Sequence, residues 1–296
     1  MSEQKSTLAT NSHSAQHHKS VQFMIWAVFF FTFGHAAVKW VPHIPFYELV
    51  FLRAAITVVI CVALLRLKKI SLIGSNVPLL ILRGFAGTIA LTTYFYSLQN
   101  MPFASAVSIQ YLSPIFTIWM AHFIMKEKTP LKQMLCYLFA FIGVLMIKGF
   151  DPRITIGELA ISMISVIASA VAYNLVRKLK DFDHELIVVL YFPLVTIPIV
   201  GPYAILHWVW PSPRDWIYIL VIGVFTQLAQ VLMTMAYHRE RASDVAIYNY
   251  LGILVSLIIG YFFFSEDISA LAVSGMAMIF LLFYLVSRLQ RSSTTT

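Results

Sequence analysis

The feature that most constrains this chain is a run of ten apolar stretches, at residues 23–41, 46–65, 79–98, 103–124, 133–147, 157–176, 186–206, 216–235, 244–263 and 270–286. An α-helix rises about 1.5 Å per residue, so roughly 20 apolar residues cross the hydrocarbon core of a bilayer. The short connections carry breakers such as Pro42, Pro45, Pro78, Pro102, Pro130, Pro152, Pro211 and Pro213, so consecutive helices must pack antiparallel. Almost no chain is left for a soluble domain. The expected fold is an all-α membrane protein with ten transmembrane helices. Composition agrees, since 59% of the 296 residues are hydrophobic and 11% are charged. A soluble domain carries roughly 25% charge, and a soluble globule of the present make-up would expose large apolar patches.

A net charge of +8 would by itself admit a nucleic-acid partner. The positions of the cations argue for a different role. With the N-terminus inside, the cytoplasmic face collects Lys5, Lys19, Arg66, Lys68, Lys69, Lys126, Lys128, Lys132, Arg177, Lys178, Lys180, Arg239, Arg241, Arg288 and Arg291. The outer face receives only Lys39, Lys148, Arg153 and Arg214, while Arg53 and Arg83 lie within spans. That imbalance sets both termini in the cytoplasm by the positive-inside rule. Residues 1–20, rich in Ser, Thr, Gln and His, lack the apolar core of a signal peptide and read as a disordered cytoplasmic tail; residues 289–296 form a second tail. Cys61 and Cys136 sit in apolar runs as inert core thiols, too few for a disulfide framework or a zinc site.

Sliding the chain against itself by 139 positions aligns residues 103–127 with 242–266 without a gap. Tyr111 meets Tyr250, Leu112 meets Leu251, Phe123 meets Phe262 and Glu127 meets Glu266. Ala106, Gln110, Ser113, Thr117 and Ala121 fall on one helical stripe, and their counterparts Val245, Asn249, Gly252, Ser256 and Gly260 are likewise mostly small or polar. Five spans per copy force the second copy to cross the membrane in the opposite sense, giving inverted five-helix repeats at residues 21–150 and 154–288. The loops follow: Lys126-Glu127-Lys128, assigned inside, becomes Ser265-Glu266-Asp267, assigned outside. Inverted repeats characterise secondary transporters, whose site lies near the midplane at the repeat interface.

Several strings carry a family resemblance: Leu82-Arg83-Gly84 opening the third span, Pro102-x-Ala104-Ser105-Ala106 entering the fourth, Ser113-Pro114 within it, Glu127 after it, and Phe141-Ile142-Gly143-Val144 in the fifth. In this order and spacing the chain resembles the EamA branch of the drug/metabolite transporter superfamily, from about residue 21 to 288. The second copy departs from the pattern, with Ile253 in place of Pro114 and Leu282 in place of Gly143. Segments 82–127 and 236–266 look most like S-adenosylmethionine or vitamin carriers and small-metabolite exporters, rather than nucleotide-sugar transporters. The resemblance implies a cavity between the repeats lined by the first, third, fourth, sixth, eighth and ninth spans, with no ATPase and no soluble cofactor.

Gln110 and Asn249 are the first candidates for substrate contact, because an amide facing hydrocarbon is costly and both should turn inward. The same stripes would also serve as close helix-packing seams. Tyr111 and Tyr250, with Tyr94, Tyr96, Trp119 and Tyr248, could clamp a planar or cationic ligand. Arg53, seven residues into the second span, should reach another helix or a ligand carboxylate, since Glu48 at i−5 does not share its face. Arg83 is either a ligand or gate residue, or snorkels to the headgroups. Of the remaining ionisable groups at spans, His35, Lys39, His122, Glu158 and Asp244, His35 and Glu158 could take part in proton coupling. Glu158 and Asp244 are also placed to cap their helices. No Asp or Glu lies deep in a span, so a carboxylate proton relay is not visible and the driving force stays open.

No catalytic or metal-ligating constellation is present: His-Glu-x-x-His, Gly-x-Ser-x-Gly and paired deep carboxylates are missing, which argues against an intramembrane enzyme. The expectation is a secondary carrier of a small metabolite such as an amino acid, an S-adenosylmethionine-like compound or a vitamin, working by alternating access in the bacterial inner membrane, with export preferred. Uptake or exchange on the same fold, and a non-transporting sensor or assembly subunit, are the alternatives. The expected partners are the bilayer and a small-molecule substrate, with a homodimer admitted.

Overall fold

A computed structural model describes residues 2–124, 155–240 and 245–266, with single positions 135, 138, 139, 142, 146, 274, 277, 278 and 281. Save for those positions, the expected spans 133–147 and 270–286 lie outside the described residues, as do Glu127, Cys136, Asp244 and the tail 289–296. Among the described residues every regular element is a helix: α1 (Ser2–Trp40), α2 (Phe46–Leu67), α3 (Val77–Asn100), α4 (Phe103–Gln110), α5 (Ser113–Ile124), α6 (Ile156–Lys178), α7 (Glu185–Leu206), α8 (Asp215–Arg239) and α9 (Leu251–Phe264). Two 3₁₀ turns, Leu179–Asp181 and Ala246–Tyr250, precede α7 and α9. Among the described residues seven helical segments, counting Phe103–Ala121 across α4 and α5 as one, are long and apolar enough to cross a membrane, and Tyr248–Phe264 is a shorter apolar helix. Residues 2–20, expected to be disordered, instead continue α1 as helix. Neither Pro nor Gly occurs before Gly34 to stop it.

The helices are amphipathic in the sense a bilayer requires. On α3, Ile81, Leu82, Phe85 and Ile89 are exposed, whereas Arg83, Gly84, Gly87 and Tyr94 are buried, so the polar face points into the bundle. A Cβ on Gly84 would lie 2.5 Å from Val195 Cγ2 and 3.2 Å from the carbonyl oxygen of Tyr191, so this glycine lets α3 and α7 approach closely. Thr155 and Glu158 form a capping box at the start of α6, as the position of Glu158 suggested.

α1 packs along α8, α3 along α6, and α2 along α7. Shifting α2 by 139 residues reproduces the bounds of α7, and the same shift carries α3 onto α8 and the span His17–Trp40 onto α6 to within one residue. Exchanging the halves of the chain therefore turns the α1–α8 contact into the α6–α3 contact and leaves α2–α7 in place. An offset first seen in 25 residues of sequence thus holds along most of the described bundle.

The fourth span is not one helix. α4 ends at Gln110 and α5 begins at Ser113. Pro114 has no N–H, so the carbonyl of Gln110 four residues earlier loses its helical donor. Leu112 N–H donates to Ile109 O at 2.9 Å and tightens the break. The ninth span opens with a 3₁₀ turn at the corresponding place, through Asn249 and Tyr250. Irregular backbone at membrane depth is tolerated where it is buried in protein or lines a cavity.

Glu266 ties the two halves together. Pro102 supplies no side-chain cap to α4. Instead Phe103 N–H and Ala104 N–H donate to the two carboxylate oxygens of Glu266, at 2.8 and 3.1 Å. Ser265, left-handed at φ 51°, turns the chain so that Glu266 N–H donates to Gly260 O at 2.9 Å. Two charge-assisted bonds at a helix N-terminus stabilise by about 1.5–3 kcal/mol each at most. Glu266→Ala is expected to lower the thermal unfolding midpoint of detergent-purified protein, and Glu266→Gln, which keeps one acceptor oxygen, to lower it less. Unchanged melting of Glu266→Ala would contradict the cap.

Candidate functional site

The described helices line a partly open cavity of about 100 Å³. Its walls include His35 from α1, Arg53 from α2, Arg83 and Tyr94 from α3, Gln110 and Tyr111 from the broken fourth span, Ser169 and Tyr173 from α6, Phe192 from α7, Gln230 from α8 and Asn249 from the ninth span. The family resemblance implied the first, third, fourth, sixth, eighth and ninth spans, and the second and seventh join them here.

Arg53 is 4% exposed. Its Nε donates to Thr226 Oγ1 on α8 at 2.6 Å, and Thr226 in turn donates its hydroxyl hydrogen to Ile222 O. The guanidinium carbon lies 5.5 Å from the centre of the Phe192 ring and 5.9 Å from that of Phe95, and Nη1 has no partner. Arg53 thus reaches another helix, as its depth demanded. Glu48 is engaged elsewhere, accepting from Val209 N–H at 2.9 Å.

Arg83 does not snorkel. It is 2% exposed, its guanidinium lies 4.7 Å from the centre of the same Phe192 ring, and its Nε and Nη1 lack partners. The reason is angular: Arg83 shares the inward face of α3 with Gly87 and Tyr94, which points its side chain away from lipid. A charge within a span costs about 2.5–3.5 kcal/mol on insertion scales, and each buried unpaired donor adds about 1–3 kcal/mol. Two arginines therefore stand against one ring with part of their hydrogen-bonding capacity unused.

Gln110 faces the cavity, but its amide also serves the helix seam. Nε2 donates to Ser169 Oγ and Oε1 accepts from Ser165 Oγ, both at 2.9 Å. Tyr111 lines the cavity, with its ring centre 6.3 Å from that of Tyr250. Tyr250 stands behind it, 1% exposed and outside the lining. His35 packs edge-on to Tyr94 at 4.8 Å. Lys39 is absent from the lining and donates to Met101 O at 2.6 Å. Trp119 is misplaced by the sequence reading. It is 53% exposed, because two residues beyond inward-facing Thr117 it is rotated by about 200° to the outside. Tyr96 and Tyr248 are also absent from the lining. The side chain of His122 lies outside the described residues.

The sequence reading missed Gln230, Tyr173, Phe192 and Thr226. For Gln230 a signal existed, since Gln227 and Gln230 are amides within the eighth span and carry the same desolvation cost that flagged Gln110 and Asn249. Gln230 Nε2 has no partner, while Gln227 Nε2 donates to the buried Cys61 Sγ at 3.0 Å. Rings do line the cavity, but the expectation of a cationic ligand meets two guanidiniums that would repel it.

The family model of EamA-like transporters matches this chain twice, at residues 18–149 and 155–288. The chain belongs to the EamA-like transporter family. Like other members of the drug/metabolite transporter superfamily it is a multi-pass membrane transporter of metabolites, not an enzyme. The pseudopaline exporter CntI of Pseudomonas aeruginosa is 31% identical, over 92% of this chain and 96% of its own length. The S-adenosylmethionine uptake transporter of Rickettsia prowazekii is 25% identical, over 67% of this chain and 68% of its own. Human solute carrier family 35 member G1 is 28% identical, over 82% and 72% respectively. A solved crystal structure with 18% identity superposes with a TM-score of 0.75, covering 94% of this chain and 99% of the other, and shares its fold.

Proposed function

We propose that this EamA-like protein is a secondary carrier that exports a small metabolite across the bacterial inner membrane by alternating access. In this reading ten helices form two inverted repeats, residues 21–150 and 154–288, with both termini in the cytoplasm. The observation that carries it is a cavity with buried arginines and amides in a mixed polar and apolar wall, built from both halves of the chain and bordered by broken backbone in the fourth and ninth spans. Broken helices at a repeat interface are where carriers bind cargo. The 139-residue offset supports the repeat, and the distribution of cations supports the orientation. Export follows the long match to an exporter, while the uptake carrier among the relatives favours a second reading in which the same rocking scaffold imports. Gradients set the direction of such a device. Proteoliposomes containing the full chain, preloaded with unlabelled amino acids, methionine derivatives, heterocyclic vitamins or organic acids, should accumulate the labelled form of at least one of them by exchange without ATP. Protein-free rates for every compound would overturn the carrier reading.

A further inference from the structure

We propose that the cargo is an organic acid whose carboxylate is bound by the guanidiniums of Arg53 and Arg83. The inference rests on the carrier reading and adds the charge and orientation of the cargo. Both arginines are more than nine-tenths buried, both line the cavity, and both lie against the ring of Phe192. Arg53 Nη1 and Arg83 Nε and Nη1 are donors without partners. Among the described residues no Asp or Glu lines the cavity, so nothing in its wall neutralises the two charges. A guanidinium presents its N–H groups as a planar fork that matches a carboxylate, and stacking on an aromatic ring holds that fork in place. A carboxylate entering the cavity would offset one of the two charges and offer acceptors to the guanidinium N–H groups.

The two halves of the chain differ in this chemistry. The residues 139 positions beyond Arg53 and Arg83 are Phe192 and Ile222, so both charges come from the first half. The rest of the wall is largely apolar, with Phe31, Leu91 and Met233, and carries polar groups from His35, Tyr111, Tyr173, Gln230 and Asn249. An acid would lie with its carboxylate toward α2 and α3 and its uncharged or zwitterionic remainder against those groups. A cation without a carboxylate has no place in such a site.

The test measures binding to the purified full-length protein of succinate, citrate, glutamate and histidine, each beside its amide analogue, with inorganic phosphate and spermidine as competing chemistries. At least one acid should bind, and its amide should bind at least about 30-fold more weakly, the loss expected when a buried charge pair is broken. Arg53→Gln and Arg83→Gln should each abolish that preference while remaining monodisperse, and Arg83→Lys, which keeps the charge but not the fork, should restore part of it. Equal binding of acid and amide, binding of none of the acids, or tightest binding of phosphate or spermidine would overturn the inference. Exchange of an uncharged or cationic metabolite that survives both glutamine substitutions would overturn it and leave the carrier reading standing. Acid binding without flux of any compound would sustain the site and remove the carrier reading.

Discussion

Gly252→Ala is expected to reach the membrane, melt at a lower temperature and lose transport by roughly tenfold, and Tyr111→Phe in the same chain should recover part of both. A Cβ on Gly252 would occupy the space of the Tyr111 hydroxyl and lie 2.9 Å from Val28 Cγ1. Tyr111 would have to swing from its seat beside Tyr250 into the cavity it lines. Overpacking of this kind costs about 1–3 kcal/mol, and here the displaced ring also blocks the cavity. Removing the hydroxyl removes the closest contact but leaves the ring carbon Cζ 2.5 Å from the new Cβ, so the rescue should be partial and the pair non-additive. Melting curves and flux for the two single variants and the double variant measure this. Additive effects, or a Gly252→Ala protein that behaves as the parent, would show that the seam between these spans is looser than described.

The double variant Arg53→Gln/Arg83→Gln should move transport and stability in opposite directions. Flux of the natural cargo should fall by about 100-fold or more, since each buried charge interaction is worth roughly 2–5 kcal/mol when one partner is truncated. The empty protein should nevertheless melt at an equal or higher temperature. It no longer buries two charges without a counter-ion, and replacing buried charge by neutral groups is often stabilising. Loss of flux with collapse of folding would instead mark the arginines as structural.

Much of the scaffold is legible in the sequence because bilayer thickness leaves little choice. A 20-residue apolar stretch between prolines can only be a spanning helix, and the described helices fall on the expected stretches. The break at Tyr111 was harder to see. Ala106, Gln110, Ser113, Thr117 and Ala121 make a regular stripe, and that periodicity concealed what Pro114 does to the carbonyl of Gln110. The site was legible where burial of a polar group has a large cost: Gln110, Asn249, Arg53 and Arg83 all line the cavity. It was illegible where rings were concerned, because an aromatic residue is at home facing lipid, the cavity or a neighbouring helix. Trp119 faces outward, Tyr250 fills the core and Tyr111 lines the cavity, and only packing distinguishes them. Glu266 shows the opposite case: its match to Glu127 is plain in the sequence, but its capping of α4 from the other half of the chain depends on the tertiary fold.

In the proposed carrier one cavity opens alternately to the two faces of the membrane. Ala172 lines that cavity and is 3% exposed. Ala172→Cys, in a chain carrying Cys61→Ser and Cys136→Ser, can be challenged with a membrane-impermeant maleimide from either face of sealed, oriented vesicles under conditions where labelled cargo exchanges. Modification is expected from both faces, with rates that change in opposite senses when saturating cargo is supplied on one side. Modification from a single face under every condition, while exchange proceeds, would contradict it.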